Sequence, residues 1–419
     1  IAFARDIYTH AELGYKEFQT SGKFVKKMEQ LGLRTEKGFA ITGVKAYLNE
    51  DKKENASLAL LGELDALRIP EHAFANPETN AAHCCGHHAQ MAGVFGAALA
   101  LTVPEIAEKL DGQVVFFATP AEEYGEIEFK NQLREQGKIR YGGGKCELLR
   151  IGAFDDIDLC LTHHIRPGNE ILVGSGTGNG FVSKVIRVLG KASHAAGAPE
   201  KGVNALSAAS LGLQALGLNR ETFRDEDCVR VHPIITKGGN LVNVIPDEVV
   251  VETLVRGKTI EAFTDAAKKT DRSFKAGAIA MGAKVEISTL PGYLPTLAEE
   301  ALPELKHAAE ISASGIPVIE ASGHAGGSTD VGDVQHLMPV YTFNTGGVKG
   351  GLHQIDFEVT DEEEAYIVTA KMFALAAYGL LKEKAQRSRE LVDQYEPVFK
   401  NSAEYVEFME QFDSKEIFE

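Results

Sequence analysis

The sequence predicts an α/β protein whose mostly parallel central sheet is flanked by helices, with a smaller α+β domain inserted into it. Three short apolar runs, at residues 57–64, 114–119 and 158–162, are typical of buried strands. A helical stretch at 89–101 lies between the first two runs. Strands that alternate with helices favour a parallel sheet. An amphipathic helix is expected earlier, at 17–31, where Phe18, Val25, Met28 and Leu31 recur near a period of 3.6 and predict one apolar face.

The insertion is indicated by a change of pattern after the glycine-rich segment 174–180, which is typical of a hinge. Strands and helices then alternate at 181–189, 203–218, 249–255, 259–281 and 284–289. The α/β pattern resumes at 339–344 and ends in a long helix at 360–381, followed by an acidic tail expected to be helical and exposed. These changes predict a main domain, an inserted domain and a second part of the main domain at 1–179, 180–291 and 292–419.

Composition limits the classes of function. The 419 residues are 44% hydrophobic and carry a net charge of −17. An acidic surface without a basic cluster excludes nucleic acid as a partner. No uninterrupted apolar run approaches 18 residues, so we expect no membrane span. Five sparse cysteines are unlike a disulfide framework and favour a reducing, cytoplasmic setting. The first residue is Ile1 rather than Met, which indicates a processed or partial chain.

Polar side chains follow two of the predicted strands. Glu122 and Glu123 come directly after the second strand, and His163 and His164 stand at the exit of the third. Ligands of open α/β sheets bind at the carboxyl ends of strands, so these groups could hold a metal and move a proton. A solvated acidic turn and an internally bonded core histidine are the alternatives that these residues alone leave open.

The densest cluster of potential metal ligands covers residues 83–88, His-Cys-Cys-Gly-His-His. In an extended segment Cys85 and His87 would share a face, and Gly86 would let the backbone approach an ion. Thiolate and imidazole together suit zinc. A disulfide or redox pair of the two adjacent cysteines is the alternative, although vicinal cysteines rarely bridge comfortably.

Two glycine-rich segments lie far along the chain, at 323–330 and 350–353, and each contains a histidine. Either segment could be an ordinary loop. A phosphate-cradling loop is the weaker interpretation, because no Gly-Lys-Ser/Thr follows.

Taken in order, these elements resemble the co-catalytic metallopeptidase and amidohydrolase family that contains carboxypeptidase G, aminoacylases and hippurate hydrolases. The most similar branch is that of the auxin-conjugate and aminobenzoyl-glutamate hydrolases. The resemblance covers roughly residues 5–381, and its ordered set is far more specific than any single motif. The matching motifs are His10-Ala-Glu-Leu-Gly, Glu63-Leu-Asp65-Ala-Leu, His83-Cys-Cys-Gly-His87, Pro120-Ala-Glu-Glu123, His163-His-Ile, Gly190-Lys-Ala-Ser-His194-Ala, Asn243-Val-Ile-Pro, Gly327-Ser-Thr-Asp330 and Leu352-His353.

The resemblance implies a centre of two divalent metal ions per chain, zinc or manganese. The implied ligands are Cys85, His87, Glu123, His164 and His353. Cys85 would bridge the two ions, and His164 is preferred over His163 because the family's ligand precedes an Ile or Val. Glu122 would be the general base that takes a proton from water and passes it to the leaving amine. Asp65 would orient a ligand.

The inserted domain resembles the family's lid and dimerisation domain, so a homodimer through this domain is implied. His194 would reach into the partner subunit's site and stabilise the oxyanion that forms during amide cleavage. Asn243 and Arg256 would hold the substrate, and the paired donors of a guanidinium suit a carboxylate.

Several positions depart from the family pattern. Glu63 occupies a place where carboxypeptidase relatives have a metal-binding His, which favours the acyl-amino-acid branch. His88 and Gln90 stand where that branch often has Asp or Asn and His, so they bear on metal choice and on the substrate pocket. Cys84 adjoins Cys85 and is a candidate to replace it or to join the site.

The predicted function is metal-dependent hydrolysis of the amide bond in N-acyl amino acids, aminobenzoyl-glutamate-like conjugates or small peptides. The expected partners are therefore a small amide or peptide substrate and a second copy of the chain. The alternatives are a non-catalytic metal-binding subunit of a hetero-oligomeric hydrolase and a dipeptidase. A dipeptidase needs a group that recognises a free α-amine, and the sequence identifies none.

Overall fold

The computed structural model describes residues 1–313 and 315–419. Its helices, in chain order, are α1 (Ala2–Thr9), α2 (Phe18–Gln30), α3 (His87–Leu101), α4 (Pro104–Ala107), α5 (Ile127–Glu135), α6 (Gly144–Arg150), α7 (Ala205–Asn219), α8 (Ile260–Met281), α9 (Pro303–Ser312), α10 (Val331–Gln335), α11 (Thr369–Gln394) and α12 (Ser402–Glu410). A π-helical segment, Glu363–Val368, leads into α11, and the backbone of α11 departs from helical geometry at residues 382–385.

The strands are β1 (Arg34–Phe39), β2 (Gly43–Leu48), β3 (Ser57–Glu63), β4 (Leu67–Arg68), β5 (Ala81–Ala82), β6 (Gln113–Thr119), β7 (Leu159–Ile165), β8 (Ile171–Val173), β9 (Thr177–Gly178), β10 (Gly180–Leu189), β11 (Arg230–Val231), β12 (Ile234–Lys237), β13 (Glu248–Gly257), β14 (Lys284–Tyr293), β15 (Val318–Glu320), β16 (His324–Ala325), β17 (Val340–Thr345), β18 (Val348–Lys349), β19 (Glu358–Val359) and β20 (Ser414–Phe418). The strands and helices that the sequence predicts all occur, with ends that shift by a few residues.

The chain divides into two units. The first unit consists of Ile1–Gly176, Leu297–Gly323 and Asp333–Ala403, and the second of Thr177–Thr296, His324–Gly332 and Glu404–Glu419. The second unit thus contains the segment 180–291 that the sequence marks as an insertion, together with two further segments from the last hundred residues.

The first unit is built on an eight-stranded mixed sheet with the order β1-β2-β6-β3-β7-β17-β8-β15. The pairs β6–β3, β3–β7, β7–β17 and β8–β15 are parallel, and the others are antiparallel. This arrangement confirms the predicted α/β fold with a mostly parallel central sheet. The carboxyl ends of β3, β6 and β7 lie side by side, which is where the sequence places its polar clusters.

The central strands are continuously apolar because both faces of the sheet are covered. Every residue of β3 and β6 is buried, and Leu60, Phe116 and Leu161 are fully enclosed in one hydrophobic core. Strands of this kind do not alternate between apolar and polar residues. Burying each such side chain stabilises the fold by about 1.5–3 kcal/mol.

Helix α2 confirms the predicted first amphipathic helix and most of its apolar face, since Met28 lies in the main core and Val25 and Leu31 pack against it. Phe24 and Met28 are fully buried in the main core, whereas Phe18 is 62% exposed. Phe18 is the first residue of the helix, so its side chain lies beyond the part of the helix that packs on the sheet. The sequence assigns Phe18 to the buried face, and the structure corrects that assignment.

The last long helix has an unusual composition. Within the described residues, the segment Glu363–Gln394 is long and apolar enough to cross a membrane, with a mean hydropathy of 1.3 over its most apolar window. The expectation of no membrane span rests on uninterrupted apolar runs, whereas this segment carries Lys371 within its apolar stretch. About half of that window, 56%, is buried inside the protein, because α11 packs on α3 and α9. Its apolar face therefore belongs to the core of the first unit.

The second unit is an antiparallel sheet with the order β11-β13-β10-β14-β20, and β12 pairs with β13. Helices α7 and α8 contact each other and cover one face, where Ile186, Val249 and Phe274 are fully buried. Asn204 caps α7 by accepting hydrogen bonds from the next turn, and Thr259 does the same for α8. The α+β character predicted for the insertion is present.

The C-terminus differs from the exposed helical tail that the sequence predicts. Helix α12 is anchored by Tyr405 and Met409, which are buried, and residues Ser414–Phe418 form a strand that pairs antiparallel with β14. An edge strand offers unpaired N–H and C=O groups to any extended segment that reaches it. This pairing depends on a partner more than a hundred residues away, so the local pattern does not reveal it.

Candidate active site

The candidate site lies at the carboxyl ends of three neighbouring strands in the first unit. Asp65 follows β3, Glu122 and Glu123 follow β6, and His164 is the second-to-last residue of β7. Because β3 pairs in parallel with both β6 and β7, these ends meet at one edge of the sheet. The sheet thus gathers side chains that are up to a hundred residues apart in sequence.

The segment Cys85-Gly86-His87 is a turn into a helix rather than an extended strand. Gly86 has a φ of 87° and stands at the N-cap of α3, and His87 is the first helical residue. The sequence-based interpretation of an extended segment is therefore wrong. Cys85 and His87 still converge, because the left-handed turn at Gly86 folds the backbone back on itself.

Gly86 also makes room for the neighbouring strand. A Cβ added here would lie 2.0 Å from Ile165 Cγ2, directly after His164. Gly86→Ala should therefore lower the free energy of unfolding of the metal-free protein by about 2–4 kcal/mol, which combines overpacking with left-handed backbone strain. Urea denaturation followed by circular dichroism measures this change.

Gly137→Ala is the matched control for this substitution. Gly137 has a similar φ of 68°, but a Cβ there meets no atom within 4 Å. Gly137→Ala should lower the free energy of unfolding only by the backbone strain, about 1–2 kcal/mol. Equal losses in the two variants would contradict the close approach of Gly86 to β7.

Two groups of potential metal ligands share Cys85. The first group is Cys85, His87 and His164, and the second is Cys85, Glu123 and His353. Within each group the donor atoms lie within 4.8 Å of one another. The Sγ atom of Cys85 is 3.3 Å from the Nε2 atoms of both His164 and His353. A shared thiol between two ligand groups is the geometry that a bridged pair of metal ions needs.

Two donor atoms of these groups are buried and lack a hydrogen bond in the described part of the chain. They are Nε2 of His87 and Oε1 of Glu123. Nε2 of His87 lies 3.1 Å from a Glu63 oxygen, and Oε1 of Glu123 lies 3.2 Å from Nε2 of His353. A buried polar atom without a hydrogen bond is costly. A soft thiolate with imidazole and carboxylate donors fits divalent ions, zinc above all.

Asp65 holds two of these residues in place. Its main-chain oxygen lies 2.9 Å from Nδ1 of His87, and its Oδ2 accepts the N–H of Glu123 at 2.9 Å. A proton on Nδ1 that is donated to this carbonyl leaves the lone pair of Nε2 free for a metal. Asp65 is fully buried, so it acts through other side chains and does not face solvent.

The two adjacent histidines of β7 point to different environments. Nε2 of His163 lies 2.8 Å from Oγ1 of Thr345, and its ring packs against Phe343 in the core. His164 instead faces Cys85, and its Nδ1 lies 2.7 Å from the carbonyl oxygen of Ile165. Alternation along the strand therefore leaves His164 alone of the pair beside the ligand groups.

The ionisable groups of the site shift one another's pKa values. Burial, reinforced by Glu123, raises the pKa of the Cys85 thiol. Burial opposes protonation of His87, but the neighbouring Glu63 and Cys85 raise its pKa overall. Burial and the charge of His87 lower the pKa of His164. Burial acts to raise the pKa of Glu123, but His353 and His87 outweigh it and lower that pKa.

A buried ion pair that the sequence does not reveal supports His87. The carboxylate of Glu63 accepts from Nζ of Lys145 at 2.5 Å and from the side-chain amide of Gln90 at 2.8 Å. Glu63 and Lys145 are both almost completely buried. Burial alone would raise the pKa of Glu63, but Lys145 and His87 lower it to about 2. Lys145 follows three glycines, the last of which begins α6, and no motif marks it.

Of the positions that depart from the family pattern, His88, Gln90 and Cys84 lie outside the candidate ligand groups of the described residues, whereas Glu63 lies in a third group with His87 and Glu122. Gln90 bonds to Glu63, as described above, and also accepts its main-chain N–H. The ring of His88 lies 4.6 Å from that of Tyr8 and 5.3 Å from that of His83, in a separate apolar cluster. Cys84 is buried in the same cluster and lies outside both ligand groups.

His194, Asn243 and Arg256 belong to the second unit. Nδ1 of His194 accepts the N–H of Gly197 at 2.9 Å, which puts the ring proton of the neutral form on Nε2. The main chain beside His194 bonds to the carbonyl oxygen of Asn243, so these two loops adjoin. Arg256 lies on β13, with its guanidinium 5.8 Å from the ring centre of Phe181.

Comparison with known proteins places the chain in a family. The model of peptidase family M20/M25/M40 matches residues 59–378, most of the chain. The chain is 27% identical to mouse Xaa-Arg dipeptidase over 397 residues, which cover 92% of this chain and 83% of that protein. It is 25% identical to the N-acetyl-L-cysteine deacetylase of Bacillus subtilis over 401 residues, 93% and 89% of the two chains.

A third relative is IAA-amino acid hydrolase ILR1-like 2 of Arabidopsis thaliana, 31% identical over 271 residues, which cover 63% of this chain and 56% of that protein. Among solved structures, the fold matches a Bacillus subtilis protein described as a dinuclear metal binding peptidase of the M20 family. That match has a TM-score of 0.61 and 24% identity, and covers 91% and 97% of the two chains.

The fold also matches an aminobenzoyl-glutamate utilization protein from Klebsiella pneumoniae, with a TM-score of 0.65 and 19% identity over 91% and 96% of the chains. The family match confirms the resemblance that the ordered motifs indicate. The chain belongs to peptidase family M20/M25/M40, and it is a hydrolase that acts on amide bonds.

Proposed function

We propose that the protein hydrolyses the amide bond of N-acyl amino acids, aminobenzoyl-glutamate-like conjugates or small peptides at a two-metal site. The observation that carries this proposal is the pair of ligand groups that share Cys85, with a buried carboxylate beside them. That carboxylate is Glu122, whose Oε2 lies 3.8 Å from Nε2 of His87. A carboxylate at this distance can act on a water molecule that binds among the same ligands.

The first ion would be held by Cys85, His87 and His164, and the second by Cys85, Glu123 and His353. Zinc suits this mixture of thiolate, imidazole and carboxylate best, and manganese is the alternative. Bound divalent ions would supply Lewis-acid polarisation of the amide carbonyl and would lower the pKa of the attacking water.

Glu122 would serve as the general base. Its carboxylate takes a proton as water attacks the carbonyl carbon, and it then delivers that proton to the amine nitrogen as the carbon–nitrogen bond breaks. Glu122 is only 8% exposed, so its carboxylate is largely shielded from bulk water. Glu123 follows it directly but points to the metal ligands, which separates the two roles.

Residues of the second unit would complete the reaction. His194 carries its proton on Nε2 in the neutral form and can donate it as a hydrogen bond to the oxyanion of a partner subunit's substrate. Asn243 and Arg256 would bind the substrate, with the guanidinium paired to a carboxylate. These roles rest on the family resemblance and on the tautomer of His194 described above.

A homodimer through the second unit follows from the same proposal. The proposal rests on the resemblance of the inserted segment to the family's dimerisation domain, and this unit exposes large apolar side chains that an interface could cover, among them Leu218, Ile234, Leu241 and Val242. Sedimentation equilibrium at micromolar concentration should give twice the chain mass of 45.2 kDa. A cytoplasmic setting is also proposed, because the five cysteines, all within the described part of the chain, are free thiols.

The test of function is a substrate panel for the wild-type chain. Purified protein loaded with zinc or manganese is assayed on N-acetyl amino acids, indole-acetyl amino acids and aminobenzoyl-glutamate, with metal content measured in parallel. Hydrolysis of at least one amide at about two ions per chain is expected. Inactivity on every amide with both ions bound would contradict the proposal.

A dipeptidase is the second candidate function, favoured by the similarity to the mouse Xaa-Arg dipeptidase over 92% of this chain. The same panel distinguishes the two when it includes dipeptides that end in Arg or Lys. A preference for substrates with a free α-amine would support the dipeptidase, whereas cleavage of only N-acylated substrates would support the acyl-amino-acid hydrolase.

A further inference from the structure

The loop that carries Glu122 and Glu123 donates main-chain hydrogen bonds to two buried carboxylates. In this catalytic loop, residues 120–123, the main-chain N–H of Ala121 donates to Oε1 of Glu17 at 2.8 Å. The N–H of Glu123 donates to Oδ2 of Asp65 at 2.9 Å. The two bonds lie on either side of Glu122, so together they fix the backbone from which its side chain extends.

The catalytic loop needs such support because its backbone is strained. Ala121 has a φ of 50°, in the left-handed region that a residue with a Cβ rarely adopts. This conformation costs about 1–2 kcal/mol. Ala121 lies two residues after the end of β6 and directly before Glu122. A strained residue keeps its conformation only where surrounding contacts impose it.

Those contacts come from two sides. On one side Glu17 accepts the N–H of Ala121. On the other, Gly144 donates its N–H to the carbonyl oxygen of Ala121 at 3.0 Å, and a Cβ at this glycine would lie 1.6 Å from the oxygen of Pro120. Ala121 is therefore bonded through both of its main-chain groups, and a shift of the loop breaks one bond or the other.

Glu17 has no other evident role in the site. It is completely buried, lies at the N-cap of α2 without capping that helix through its side chain, and belongs to neither ligand group. Its second oxygen accepts from Oγ1 of Thr42 at 2.7 Å. Burying a carboxylate is costly unless it is hydrogen-bonded, and here both oxygens are bonded.

We propose that Glu17 is a positioning residue of the hydrolase, which holds the catalytic loop through Ala121 so that the Glu122 carboxylate faces the attacking water. This inference rests on the proposed role of Glu122. The structure also offers a matched control, Glu12, a second buried carboxylate five residues earlier. Glu12 accepts hydrogen bonds from Gln19 and Thr20 at the start of α2 and is bonded to no residue of the catalytic loop.

The test compares Glu17→Ala, Glu17→Gln and Glu12→Ala with the wild type. A displacement of catalytic groups by about 1 Å lowers a rate on the order of 10²-fold. We therefore expect Glu17→Ala to lower kcat by about 10–100-fold with little change in KM and with the wild-type metal content. Glu17→Gln keeps an oxygen that accepts the N–H of Ala121 and should restore most of kcat. Glu12→Ala should keep the wild-type kcat per folded molecule.

A second readout does not depend on turnover. In the metal-free protein, hydrogen–deuterium exchange at the amide of Ala121 should be faster in Glu17→Ala than in the wild type, because the bond that protects it is lost. Exchange at this amide should be unchanged in Glu12→Ala, which loosens the start of α2 instead. A purely structural role for Glu17 would give the two alanine variants the same pattern.

Unchanged kcat and unchanged Ala121 exchange in Glu17→Ala would overturn the inference. If this variant is recovered unfolded, Thr42→Val takes its place, since it removes one bond to Glu17 and keeps the carboxylate. It should show a smaller fall in kcat and faster exchange, and wild-type values of both would equally overturn the inference. A wild-type chain that binds two ions and cleaves no amide contradicts the proposed function instead, while the exchange result still tests the hold of Glu17 on the loop.

Discussion

Glu122→Gln is expected to hydrolyse amide substrates on the order of 10²–10⁴-fold more slowly than the wild type, the range that general acid–base catalysis contributes. The amide side chain keeps the size and the position of the carboxylate, but it cannot take a proton from water or return one to the leaving amine. Glu122 belongs to neither ligand group that shares Cys85, so metal content should stay near the wild-type value. Steady-state kinetics with parallel metal analysis measures both quantities.

Glu128→Gln is the matched control for this loss. It makes the same change of charge six residues later, at an exposed position of α5, and should keep the wild-type kcat. A Glu122→Gln variant with both ions bound and full kcat would assign the proton transfer to another group. Loss of metal from that variant would instead make Glu122 a ligand, because donor atoms of Glu63, His87 and Glu122 also lie within 4.8 Å of one another.

The fold could be predicted because its strongest signals are local. The apolar runs of β3, β6 and β7 and the helical period of α2 record burial that each segment needs wherever it lies. The same reasoning places the polar clusters at strand ends. They directly follow the apolar runs, and a polar residue is expected only where a strand passes out of the covered part of a parallel sheet. The ordered motifs then identify the family, which the match over residues 59–378 confirms.

Features that depend on distant partners could not be predicted. The strand Ser414–Phe418 exists because β14 has a free edge, and the exposure of Phe18 depends on where α2 meets the sheet. Within the site, Lys145 carries no motif, and only the fold shows that it lies against Glu63. A buried ion pair of this kind depends on the shape of the whole core rather than on a sequence pattern.

A local pattern also led to a wrong prediction of backbone conformation at the metal-ligand segment. Cys85 and His87 have the spacing of one strand face, but Gly86 with its left-handed φ converts the segment into the start of α3. His88 and Gln90 stand where the family pattern differs, and the structure directs them to an apolar cluster and to Glu63. Gln90 therefore acts on the site through Glu63, and both residues lie outside the candidate ligand groups.

Cys85→Ser is expected to weaken metal binding by more than the 10–100-fold typical of residues that only support ligands. A serine hydroxyl is a poor replacement for a thiolate, and Cys85 is the one residue that both ligand groups contain. Metal content after dialysis should therefore fall from about two ions per chain to one or fewer, and amide hydrolysis should fall with it. Chelator competition measures the affinities.

Cys84→Ala is the control, because Cys84 lies in a separate apolar cluster and its main-chain oxygen, which accepts the N–H of His353 at 2.9 Å, is retained. It should keep both ions. Metal binding that survives in Cys85→Ser but fails in Cys84→Ala would exchange the roles of the two cysteines.

The dependence of metal affinity on pH separates the thiol from the other ligands. Burial and Glu123 raise the pKa of Cys85, so in the metal-free protein this thiol keeps its proton at neutral pH and must release it when an ion binds. Affinity of the wild type should therefore increase as pH rises from 6 to 8. In Cys85→Ser that proton is absent, and the slope of log affinity against pH should fall by about one. Equal slopes in the two proteins would mean that the thiol does not bind metal.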